Sequence, residues 1–132
     1  MENIIKGSMA FGGAAVSYMY GGWSALLVIL IVFTVLDYAT GVLASGLEGK
    51  LSSKVGIKGI AKKIYIFVMV AAANLVDMTL GTDTFFRDAA IFFYIANELI
   101  SIIENGGRIG VPIPPVIKQA VEVLQSKGET KS

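Results

Sequence analysis

The chain has 132 residues, 55% of them hydrophobic and 16% charged, with a formal net charge of +1. Ordinary soluble domains are about 25% charged, so the composition points to lipid as the solvent, with room for three membrane helices and short tails but not for a sizeable soluble domain besides. The near-zero net charge leaves no footprint for nucleic acid, and with neither cysteine nor histidine there is no disulfide, no thiolate, and neither the commonest general base nor the commonest zinc ligand.

Residues 1–22 are mildly apolar but broken by Gly7, Gly12, Gly13, Gly21 and Gly22. They are too short and glycine-rich for a span, so an interfacial or flexible segment is expected, with a short interfacial or tilted helix favoured. The first span is expected at about 23–47. Its apolar run Ala25–Leu36 follows Trp23, an aromatic residue suited to the membrane interface. At 1.5 Å per residue the segment measures roughly 36 Å, enough to cross a ~30 Å hydrocarbon core with some tilt. A cleaved signal peptide is disfavoured, because only Lys6 precedes the run while the lysines lie beyond it.

Residues 48–63 read as a basic loop carrying Lys50, Lys54, Lys58, Lys62 and Lys63 against Glu48. Gly49, Gly56 and Gly59 are expected to supply turns, and Ser52-Ser53 to cap a helical turn. The second span is expected at about 64–80 and the third at about 89–104, joined by the connector 81–88. Together, residues 23–105 form a three-span membrane domain. Gly106-Gly107 is expected to end the third helix, with Pro112, Pro114 and Pro115 preventing its resumption. The tail, 106–132, holds an amphipathic helix at about 115–126, with Ile117, Ala120, Val121 and Leu124 on one face and Pro115 in the first turn. Residues 127–132 are expected to be disordered.

Three spans place the two termini on opposite sides. The loop holds five Lys or Arg residues and the tail four (Arg108, Lys118, Lys127, Lys131), against Lys6 at the N-terminus and Arg87 in the connector. The positive-inside bias therefore predicts an external N-terminus and a cytoplasmic C-terminus. The five loop lysines are assigned to topology, with contact to anionic lipid headgroups as the alternative.

Each span carries a polar stripe at helical spacing. Thr34, Asp37, Gly41 and Ala44 align on the first, with Thr40 beside them. Ala73, Asn74, Asp77 and Gly81 align on the second. Tyr94, Asn97, Ser101 and Glu104 align on the third, with Glu98 adjacent. An acid at the centre of a membrane helix costs roughly 3 kcal/mol, so such residues call for a reason. Two readings stay open for Asp37, Thr40, Gly41, Ala44, Asn74, Asp77, Asn97, Glu98 and Ser101: polar and small-residue glue inside one bundle, or a surface facing other subunits or a water-filled lumen.

Enzymatic chemistry has no support. No nucleophile has a base, the run Gly106–Gly110 lacks the Gly-Lys-Ser/Thr of a phosphate-binding loop, and the acids are too dispersed to claim a metal site. No cofactor and no metal are expected.

One constellation resembles a known family. Asp37-Tyr38-Ala39-Thr40-Gly41, then Ser52-Ser53, Gly56, Gly59 and Lys62-Lys63, then Asp77, is similar to the toxin-secretion/phage-lysis holins of clostridial and related Gram-positive phages. Val111-Pro112-Ile113-Pro114 before a short charged helix extends the likeness, which covers roughly residues 30–125. It implies a multi-pass protein of the host cytoplasmic membrane that associates with itself into lesions in the bilayer. An endolysin then reaches the wall, or a toxin escapes, with no direct contact with the protein required. By the same likeness Asp37, Thr40 and Gly41 serve helix association, and Lys62 and Lys63 sit at the interface. A selective ion or proton channel, or a small transporter subunit using the buried acids, is the alternative.

Overall fold

All regular structure among the described residues is helical. A computed structural model describes residues 1–129, with α1 at Glu2–Tyr20, α2 at Ala25–Leu47, α3 at Ser53–Leu80, α4 at Phe85–Ile109 and α5 at Pro115–Glu129. Helix α4 is the central element, packed on α2, α3 and α5, while α1 rests on α3. Leu27, Leu30, Val70, Ile91 and Ile95 form the apolar centre between α2, α3 and α4.

Helix α2 starts where Ser24, in extended conformation, accepts the Leu27 N–H on its hydroxyl at 3.2 Å, which satisfies one orphan donor of the first turn. Its buried positions are Leu27, Leu30, Thr34, Asp37 and Ala44, a single stripe at helical spacing. The other faces are apolar and exposed, with Ile29, Val32, Val35 and Leu36 pointing outward. Helices α2 and α3 are long and apolar enough to cross a membrane, and only 17% of each apolar window is buried. The core helix of a soluble protein would bury such a surface, so this one is suited to lipid. Helix α4 does not join the pair on composition, because Asn97, Glu98, Glu104 and Asn105 interrupt its apolar residues.

The basic loop is shorter than its composition suggests. Only residues 48–52 lie between helices, and 53–63 form the first three turns of α3. Ser52 supplies the cap, accepting the Val55 N–H at 3.3 Å. Gly56 and Gly59 are helical rather than turn residues. A Cβ on Gly56 would stand 3.2 Å from the Tyr38 hydroxyl, and one on Gly59 would lie 3.8 Å from the Tyr38 ring. The glycines let α3 approach the Tyr38 side chain of α2, and that contact overrides their weak helix propensity.

Gly106 and Gly107 likewise sit inside α4, which runs on to Ile109. It stops at Gly110, whose left-handed φ of +98° a residue with Cβ rarely adopts. The chain then turns through the prolines, and Pro115 opens α5 as expected. Helix α5 folds back along α4. Val121 is buried, Leu124 reaches the apolar centre, and the Lys127 ammonium lies 5.8 Å from the centroid of the Phe92 ring. A Cβ on Gly128 would come within 3.0 Å of the Phe93 backbone. The tail is therefore packed against the bundle, and α5 includes 127–129, which the sequence left unstructured. Residues 130–132 lie outside the described residues.

At the other end, the helix favoured for residues 1–22 is α1, nineteen residues long with none of them buried. Only Gly13, Val16, Ser17 and Tyr20 are partly covered, a one-sided stripe over its last two turns.

Candidate functional site

The polar side chains of the bundle gather into two clusters, one near each end of α4. Among the described residues every buried side-chain nitrogen and oxygen has a hydrogen-bond partner.

The first cluster joins α2, α3 and α4 near the lysine-rich end. Its centre is Lys63, whose ammonium donates to Asp37 Oδ2 at 2.5 Å and to Glu98 Oε2 at 3.1 Å. Asn105 closes it from the next turns of α4. Its amide nitrogen donates to Asp37 Oδ1 at 3.0 Å, to the Asp37 carbonyl at 3.1 Å and to the Thr40 hydroxyl at 2.9 Å. The Thr40 hydroxyl in turn donates to the Leu36 carbonyl at 2.8 Å. Gly41 leaves space for the Asn105 amide, 3.5 Å from where a Cβ would stand, and Ala44 is fully buried one turn further on. Two carboxylates thus share one ammonium out of bulk water, where an unpaired charge would cost several kcal/mol.

Beside this cluster lies an open cleft of about 420 Å³ that reaches Asp37 and Lys63, with Tyr38, Ser52, Ser101 and Glu104 also in its wall. Its mouth carries the exposed pair Arg108–Glu48, 2.7 Å between Nη2 and Oε1. The neighbouring guanidinium, by hydrogen bond first, holds the Glu48 carboxyl below the usual range for glutamate.

The second cluster works through the backbone. Asp77, near the end of α3, accepts the Phe86 N–H at 2.9 Å, the Arg87 N–H at 2.8 Å and the Thr82 hydroxyl at 2.6 Å. The residue preceding α4, Thr84, makes no side-chain cap, so Asp77 caps α4 from a neighbouring helix. Asn74 donates to the Tyr18 and Met19 carbonyls at 3.1 and 2.8 Å, and Arg87 Nη1 to those of Tyr20 and Gly21, both at 3.1 Å. These are the orphan carbonyls at the C-terminus of α1. Gly21 has φ +71°, which favours glycine, and a Cβ there would fall 2.6 Å from Asn74 Oδ1 and displace that amide.

The residues singled out from sequence divide accordingly. Asp37, Thr40, Gly41 and Glu98 meet in the first cluster, while Asn74 and Asp77 belong to the second. Asn97 is exposed and Ser101 lines the cleft. Neither side chain donates or accepts a hydrogen bond among the described residues. The buried polar face of α4 runs through Arg87, Glu98 and Asn105, not through Tyr94, Asn97, Ser101 and Glu104. Lys63 leaves the basic set altogether and turns inward, whereas Lys50, Lys54, Lys58 and Lys62 are exposed. Extending the second helix back would have revealed this, since Lys63, Phe67, Val70, Asn74 and Asp77 share one face. Arg87 reads in the sequence only as a connector charge and Asn105 carries no signal of its own, although their spacing from Glu98 (eleven and seven residues) marks the same stripe. No group of three or more acidic, histidine or cysteine side chains able to hold a metal exists among the described residues.

The profile of the bacteriophage holin family matches residues 14–126. An uncharacterized protein of Halalkalibacterium halodurans is 48% identical over 130 residues, covering 95% of this chain and 96% of the relative. The uncharacterized 14.9 kDa protein of the nagH 3′ region in Clostridium perfringens is 41% identical, covering 96% and 99%. A protein of Bacillus phage phi105 named as a probable holin is 33% identical over 116 residues, covering 88% of this chain and 85% of the relative. No solved structure gives a significant match.

Proposed function

The chain belongs to the bacteriophage holin family, and from that premise we propose that it is a non-enzymatic, multi-pass protein of the host cytoplasmic membrane. It associates with itself into lesions that let an endolysin, or a toxin, pass. Its spans are 23–47, 64–80 and 89–104, carried by α2, α3 and α4, with the N-terminus outside and the C-terminus cytoplasmic. The lysine-rich end then lies inside, as the bias of positive charge favours. The observation that carries this reading is the division of surfaces. Apolar side chains of α2 and α3 point outward while their acids turn inward onto partners.

In this reading the first cluster is the joint between the three spans. The distances support that role, because Lys63 neutralises charge that hydrocarbon would penalise. Lys50, Lys54, Lys58 and Lys62 anchor the cytoplasmic face.

The cleft that reaches Asp37 and Lys63 favours a second reading, a selective ion or proton channel. One experiment separates the two. Expression is induced in cells that contain a folded cytoplasmic reporter enzyme, and the medium is assayed. The holin reading expects abrupt loss of membrane potential together with escape of the reporter. Ion flux that is saturable and pH-dependent, with the reporter retained, would support the channel instead.

A further inference from the structure

The geometry points to α5 as the water-facing lining of the lesion. This inference rests on the holin reading above and adds the surface that forms the passage. Helix α5 leaves the cytoplasmic end of α4 and returns antiparallel along it. Ile113 touches Gly106 at the near end, and Gly128 lies against the Phe93 backbone at the far end. Thirteen residues of α4 separate Gly106 from Phe93, about 20 Å of rise at 1.5 Å per residue. That is roughly two thirds of a ~30 Å hydrocarbon core. With α4 spanning at 89–104, α5 therefore lies at membrane depth for most of its length, and its C-terminal end communicates with the cytoplasm through the water-filled space that its polar face borders.

Its two faces differ in kind. Ala120, Val121, Leu124 and Gly128 turn toward the bundle, and Val121 is only 9% exposed. Lys118, Gln119, Glu122 and Gln125 turn outward and are all exposed, with Val116 and Val123 exposed along one flank of that polar arc. Hydrocarbon does not tolerate such a face, since polar groups at membrane depth persist only against protein or a water-filled cavity. Among the acids of the spans, Asp37, Asp77 and Glu98 are turned inward onto partners, and the exposed Glu104 stands at the last residue of the third span. When copies assemble, the polar faces of their α5 helices would border a shared aqueous lumen open to the cytoplasm, with the apolar faces of α2 and α3 left to lipid.

The absence of native cysteine makes the test clean. The full-length protein carrying Phe92→Cys and Lys127→Cys is expressed in membranes and treated with a short thiol cross-linker. We expect an intramolecular cross-link, because the two side chains meet across α4 and α5. In that background Lys118, Gln119, Glu122 and Gln125 are all changed to Leu. The expected result is unchanged insertion and cross-linking with loss of reporter release, whereas Val32→Leu with Val35→Leu releases like the parent. As a second measurement, Glu122→Cys is modified in reconstituted vesicles with a bulky, charged maleimide, which should slow marker efflux. A missing cross-link in the parent, or full release by the cross-linked four-leucine variant, overturns the inference. Failure of the unsubstituted protein to release the reporter overturns the holin reading instead.

Discussion

The two buried clusters use similar residues to different ends. At the lysine-rich end, Asp37, Lys63 and Glu98 bind one another through side chains from three helices. At the opposite end, Asn74, Asp77 and Arg87 bind mostly backbone, filling the open valences of the α4 N-terminus and the α1 C-terminus. A charge triad is reciprocal: removal of one member strands the others, and removal of all three strands none. A cap is one-sided, so its loss exposes only the helix end that it served. In the proposed reading the first cluster therefore sets whether α2, α3 and α4 assemble, and the second where the ends of α1 and α4 rest.

Lys63→Met should have the largest effect. Two buried carboxylates would lose the cation they share, at a cost of about 3–5 kcal/mol for breaking a buried pair. Thermal unfolding of the detergent-solubilised protein should show collapse of the native bundle. Retention of wild-type stability would mean that the triad does not join the helices.

Asp77→Ala comes next, at about 1–2 kcal/mol, the usual cost of losing a helix N-cap. Amide exchange should accelerate in the first turn of α4, while α2 is unaffected. Asn74→Leu should cost about 1 kcal/mol, the net worth of a hydrogen bond. It should act locally, raising trypsin cleavage after Lys6 as α1 loosens from α3, with the three-helix core intact.

The smallest effect is expected at the exposed Glu48–Arg108 pair, where water screens the attraction. Its contribution is present above the ordinary glutamate range and fades as pH falls through the lowered value of Glu48. Arg108→Gln should return that titration toward the ordinary range without measurable loss of stability. NMR of the Glu48 carboxyl checks the shift.

Much of this division is legible in the sequence where side chains speak to side chains. The α2 stripe of Thr34, Asp37 and Ala44 is buried on one face as the spacing implies, and Ser52 and Pro115 mark helix starts. What hides is contact with backbone. Gly56 and Gly59 read as turns because their use, approach to Tyr38, depends on a partner eighteen or more residues away. With the helix start misplaced, Lys63 falls among the surface lysines. The docking of α1 is equally silent, since the groups bound by Asn74 and Arg87 are carbonyls that any residue carries. The fold-back of α5 hides for the same reason, being shaped by the Phe93 backbone beneath Gly128.

In the proposed function the role of the buried triad is to join helices and not to line the passage. It is tested most directly by removing the triad whole, as Asp37→Leu, Lys63→Met and Glu98→Leu in one chain, and assaying release of the folded reporter enzyme. The expected bundle inserts, holds its shape better than Lys63→Met alone, and still releases the reporter. A triple variant that inserts and folds but releases nothing would contradict it, returning the acids to the lumen.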